Sequence, residues 1–160
     1  MSREKKKALI DIILLAVGAI VFYAATLAAL QGLRLVAPDV YASYTETLAA
    51  GGYDRVTLSL PWIVSLFVAP VAEELVFREL LFSRVLCGIA RIPYFPSNIL
   101  QAVVFAAFHM NPVQCAYALV FGIVCGAIYK RHEAHYPVAF CIFFHLCVNL
   151  CNLAQLLPFF

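Results

Sequence analysis

The stretch Ala72-Glu73-Glu74-Leu75-Val76-Phe77-Arg78 sets three ionisable side chains inside an otherwise apolar run that begins at Val56. On membrane-insertion scales a charge near the middle of a spanning helix costs roughly 2.5–3.5 kcal/mol unless it meets protein, water or a partner. Three of them cancel much of what the flanking Leu, Ile, Val and Phe contribute. A fold that buries this stretch must bring polar partners to it.

The rest of the chain points to a bilayer as the solvent. Hydrophobic residues make up 64% of the 160 positions, against about half in a soluble domain. Mean hydropathy is +0.92. The expected class is therefore all-α, a polytopic membrane bundle of about five transmembrane helices. A net charge of +2 is too small to suggest a nucleic-acid partner. The six cysteines are scattered, contain no C-x-x-C pair and are expected to be small packing residues rather than a zinc or redox site.

In chain order, helix 1 is expected over about Ala8–Leu30, with Ala24 and Ala28 as a small-residue contact face. Its basic lead and apolar run resemble a signal peptide, but it is long enough to span, lacks a clean small-x-small cleavage site, and is read as uncleaved. Arg34–Arg55 reads as a polar segment broken by Pro38, Gly51 and Gly52. Residues 1–55 thus form an amino-terminal span and extracytoplasmic loop, and 56–160 a helical core. Helix 2 is expected to start near Pro61, to bend at Pro70, which leaves the Leu66 carbonyl without its partner, and to stop at Gly88. Helix 3 is expected over Asn98–Met110 with Ser97 as cap, at ~20 Å too short for a ~30 Å hydrocarbon core. Asn111-Pro112 reads as cap and first residue of helix 4, which carries Gly122-x-x-x-Gly126, a close-packing motif. Lys130–Tyr136 is a short loop, and helix 5 runs from Pro137 to about Leu157.

With five spans, nine of the eleven basic residues fall at or near one side, which places the amino terminus in the cytoplasm and the carboxyl terminus outside. Within the loop, His132-Glu133-Ala134-His135 looks like the zinc motif H-E-x-x-H. It is not one, because its second histidine comes at i+3 and Pro137 follows. It is read as solvated.

Two further helices carry polar residues inside apolar runs: Phe105-x-x-x-His109 and His145-x-x-x-Asn149. In each, i,i+4 spacing stacks the pair one turn apart. Counting residues at ~1.5 Å each puts Glu73, His109 and His145 at mid-bilayer or in its cytoplasmic half, so one pocket can collect them. Carboxylate and imidazole together can activate a water; a second imidazole and an amide can donate to an oxyanion. Glu73, His109 and His145 can equally ligate zinc with water in a fourth position, so a metal and a metal-free site both stay open. The two glutamates differ. Glu74 stands four residues before Arg78, the favourable order for a pair, whereas Glu73 has no basic residue at i+3 or i+4.

Glu73-Glu74-x-x-x-Arg78, Phe105-x-x-x-His109 and His145-x-x-x-Asn149, in that order on separate apolar helices, resemble the three motifs of the CPBP intramembrane proteases, also called the CAAX protease, bacteriocin-processing or Abi family. The resemblance covers about Pro61–Asn152. It implies a helical core over 56–160 that hydrolyses a peptide bond of a membrane-associated or CAAX-like peptide or protein. It implies that Glu73 and His109 activate water, that His145 and Asn149 stabilise the oxyanion, and that Glu74, Arg78 and Phe105 support the site. Two other classes use the same residues: a non-enzymatic bacteriocin self-immunity or regulatory protein, and a small transporter.

Overall fold

The computed structural model describes residues 3–51, 63–109 and 111–155. Every regular element among them is helical: α1 Arg3–Val36, α2 Pro38–Ala50, π1 Val64–Val68, α3 Ala69–Glu74, π2 Leu75–Ile89, α4 Tyr94–Ala107, α5 Pro112–Arg131 and α6 Pro137–Gln155. Two are long and apolar enough to cross a membrane, over Lys5–Val36 and Pro112–Arg131. Beyond these, the five-span expectation rests on the interrupted run 63–89 and on two shorter apolar helices. The expected starts and ends at Pro61, Met110 and Leu157 lie outside the described residues.

The chain divides into two compact units, 1–66 with 144–160, and 67–143. In the first, α1 is longer than expected and ends where Pro38 intervenes. Proline disfavours helical backbone in the residue before it, and Ala37 sits at φ −140°, ψ 71°. The same proline then opens α2 as its first residue, where its missing N–H leaves no bond unmade. Arg34–Arg55 is therefore not only a polar connector; Pro38 separates two helices there. Ala24 and Ala28, expected to form a contact face, are exposed. The packed small residues lie a turn or two earlier: Ala19 is fully buried, and Gly18 has the Phe144 ring 3.8 Å from where a Cβ would stand.

In the second unit, the run carrying the two glutamates alternates its winding. Pro70 has no N–H to give Leu66, and the turn before it is wound as π-helix. Residues Ala69–Glu74 are α-helical, and π winding resumes at Leu75. The i→i+5 pattern shows at the end of π2, where Ala90 N–H donates to Val85 O at 2.8 Å. It also stacks residues five apart, so the Arg84 guanidinium reaches Glu79 at 2.9 Å. The helix runs past Gly88, the expected stop, and turns at Arg91, whose φ of 53° is the left-handed conformation that follows many helix ends.

Helix α4 begins three residues before the expected cap. Pro93 and Pro96 fall at its entry and in its first turn, where proline is tolerated, and Ser97 does not cap but donates to Ile92 O at 3.1 Å. Asn111 does cap α5 as expected, its Oδ1 accepting from Val113 N at 3.0 Å and Gln114 N at 3.3 Å. Helices α4 and α5 then pack through the small-residue motif. A Cβ on Gly122 would lie 2.9 Å from Ala102 Cα, and one on Gly126 would overlap the Asn98 amide.

Because the obstacle at Gly122 is backbone, a methyl there must push the two helices apart, whereas at Gly32 nothing among the described residues lies within 4 Å of the Cβ position. Gly122→Ala is expected to lower the thermal unfolding midpoint in detergent by several degrees. Gly32→Ala should leave it unchanged or raise it, since Ala is favoured over Gly in a helix by about 0.5–1 kcal/mol. Equal midpoints for the two variants would contradict the close contact.

Candidate active site

Glu73 and Glu74 occupy the last turn of α3, just before the winding changes. Consecutive helical residues point about 100° apart, and the two carboxylates accordingly differ: Glu74 is buried and Glu73 half-buried.

Glu74 and Arg78 are both 0% exposed, with Arg78 Nε 3.0 Å from Glu74 Oε2. The contact is one of charge rather than an aligned hydrogen bond, because the donor and acceptor miss hydrogen-bond geometry. The guanidinium is stabilised from its face as well. Its Cζ lies 4.4 Å from the centroid of the Phe105 ring and 5.8 Å from that of Phe121. Phe105 is the centre of this interior. Its ring meets Phe77 edge-on at 5.1 Å and His109 at 5.0 Å, and lies 5.9 Å from Phe121. Thus Phe105, the residue four before the histidine, touches both Arg78 and His109.

His109 stands just beyond the end of α4, half-buried, with its backbone N–H on Ala106 O at 3.0 Å. Its Nδ1 is 3.2 Å from Phe105 O. A carbonyl can only accept, so Nδ1 is the donor in this contact, which in the neutral ring leaves the lone pair on Nε2. The Phe105 carbonyl lies in the last turn of α4, where it takes only a tight i+3 bond from Phe108 N at 3.3 Å and keeps a lone pair for the ring. Helix termination therefore sets the tautomer.

His145 and Asn149 lie one turn apart on α6, in the part of that helix belonging to the other unit. His145 is buried and Asn149 half-buried. Asn149 Nδ2 lies 3.5 Å from Leu66 O, the carbonyl whose i+4 partner is the proline. That is long for a hydrogen bond and holds the amide loosely.

Several polar residues escaped the sequence reading. Asn98 and Gln101 are buried on the α4 face toward α5, with Asn98 Nδ2 donating to Ile123 O at 3.1 Å and Gln101 Nε2 to Gly122 O at 2.8 Å. An amide within an apolar run is the same signal that singled out Asn149, and it was there to be read. Tyr129 donates to Glu79 Oε2 at 2.6 Å, tying α5 to π2. In the loop after α5, Glu133 and His135 are exposed as expected, but His132 is not solvated. It is buried, with its ring stacked on Phe140 at 4.0 Å. Stacking takes up one histidine of the zinc-like run. Among the described residues no group of three His, Cys, Asp or Glu side chains is placed to hold a metal ion.

Helices of this hydropathy, with ionisable side chains in their interior, define an integral membrane protein. A family model described as Type II CAAX prenyl endopeptidase Rce1-like matches residues 55–151, well over half of the chain and all three motifs, and the chain belongs to this family of intramembrane endopeptidases. No curated protein and no solved structure matches it.

Removing either partner of the Glu74–Arg78 pair leaves a buried charge without its counter-ion, at ~3–5 kcal/mol. Glu74→Gln and Arg78→Gln should each lower the unfolding midpoint and the amount of protein recovered from membranes. The double variant should lose clearly less than the two single losses added together. Strict additivity in that double-mutant cycle would mean that the pair contributes no coupling energy.

Proposed function

We propose that the protein hydrolyses a peptide bond of a membrane-associated or CAAX-like peptide or protein, using a water activated by Glu73 and His109. The observation that carries this is the family match, which contains every residue the chemistry needs. The tautomer at His109 supports it, because an Nε2 lone pair is what accepting a proton requires.

In this scheme Glu73 and His109 take a proton from the water as its oxygen attacks the scissile carbonyl. The carbonyl becomes a tetrahedral oxyanion, which receives hydrogen bonds from His145 and from Asn149. The loose contact of Asn149 with Leu66 leaves amide hydrogen-bonding capacity for that task. Collapse breaks the C–N bond, and the proton taken from water passes to the leaving amine. Glu74, Arg78 and Phe105 hold the helix termini that present the reacting groups. The scheme routes no step through a metal. With the amino terminus in the cytoplasm and the carboxyl terminus outside, the substrate enters from the cytoplasmic side or laterally from lipid.

Purified protein, assayed against a peptide library that includes prenylated CAAX peptides, should cleave, and chelator should leave the rate unchanged. His109→Ala should insert and unfold like wild type yet show no cleavage. Full turnover in that variant, or loss of activity on chelation that zinc restores, would contradict the proposed chemistry.

A further inference from the structure

Two fully buried side chains of this interior each carry polar atoms that have no hydrogen-bond partner among the described residues. Arg78 is 0% exposed, and among the described residues its Nη1 and Nη2 have no hydrogen-bond partner. Cys125 lies near the guanidinium, but a thiol is a weak acceptor and does not meet these donors in hydrogen-bond geometry. Gln101 is also 0% exposed. Its two Nε2 hydrogens are shared among Asn98 O at 3.0 Å, Asn98 Oδ1 at 2.8 Å and Gly122 O at 2.8 Å, while among the described residues its Oε1 has no hydrogen-bond partner. One residue thus has donors without an acceptor, the other an acceptor without a donor.

They flank the same ring. Arg78 Cζ lies 4.4 Å over Phe105, and Gly122, which Gln101 holds, would place a Cβ 3.6 Å from Phe105 Cδ1. Gln101 is also one turn before Phe105 on the buried face of α4. Leaving such atoms unpaired in an apolar interior is costly, and the usual occupant of a buried polar gap is water, which can accept from one side and donate to the other.

We infer that Arg78 and Gln101 hold buried water between them, accepting from the Arg78 Nη hydrogens and donating to Gln101 Oε1. The site extends a line of polar contacts along α4. It begins at Tyr94, half-buried at the start of the helix, whose hydroxyl accepts from Asn98 Nδ2 at 3.4 Å. It continues through Asn98 to Gln101, then through the water to Arg78 and Glu74. Resting on the hydrolase assignment, its role is to keep water at the depth where the reaction consumes it, beside the residue that adjoins Glu73.

Hydroxyl-radical footprinting of the full chain in detergent, read residue by residue by mass spectrometry, tests this without substrate. Phe105 and Phe82 form a matched pair, each 2% exposed. Radicals formed from a water held against the ring should label Phe105 several-fold faster than Phe82. In Gln101→Leu the two rates should become equal. Equal labelling of the two rings in the wild-type protein would overturn the inference, and that comparison stands even if Gln101→Leu fails to fold. A labelled Phe105 in a protein that cleaves nothing would keep the water site and remove the hydrolase role. Unlabelled Phe105 in an active protein would do the reverse.

Discussion

Burying a guanidinium and a carboxylate in a protein that lives in lipid is the constraint on which the second unit depends. Desolvation costs several kcal/mol per ion, and attraction at 3.0 Å offsets it only with help from the surroundings. The help comes from specific neighbours. Phe105 lies against the flat face of Arg78, and Phe121 stands behind it. For both rings to reach Arg78, α4 and α5 must approach closely, which the bare backbones at Gly122 and Gly126 permit. The amide side chains of Asn98 and Gln101 bridge that approach. A lipid-exposed pair would have none of these partners.

Once Glu74 is committed to Arg78, its neighbour is left on a different side of the same turn, half-buried rather than sealed. In the proposed scheme adjacent identical residues thereby take different tasks, Glu74 holding the fold and Glu73 acting on the water. Phe105 links the two halves of this arrangement. Its ring stabilises Arg78, while its carbonyl fixes the His109 tautomer. A substitution at Phe105 therefore acts on stability and on the histidine together.

Charges and prolines in apolar surroundings were the legible part of the sequence. Glu74 and Arg78 at i,i+4, the Asn111 cap and the Gly122–Gly126 contact follow from spacing alone, since each is a local rule that neighbouring helices do not override. The α2 helix is hidden in the sequence because proline can as well begin a helix as end one, and Pro38 does both here. The π winding of Leu75–Ile89 has no marker in its residues, and with it went the Glu79–Arg84 pairing at i,i+5. His132 lies in the expected loop yet is not solvated, because nothing local announces that Phe140, eight positions on, covers it. Ala24 and Ala28 failed for a similar reason: small residues permit a contact without specifying which face of α1 makes it.

The division of labour between the two glutamates is the central claim, and one paired measurement tests it most directly: unfolding midpoint and cleavage rate for Glu73→Gln and Glu74→Gln, prepared side by side. Glu73→Gln should unfold at the wild-type midpoint and cleave nothing. Glu74→Gln should unfold early, by an amount that reflects ~3–5 kcal/mol, and retain cleavage in whatever fraction remains folded. Cleavage by Glu73→Gln, or a loss of stability in it equal to that of Glu74→Gln, would contradict the account.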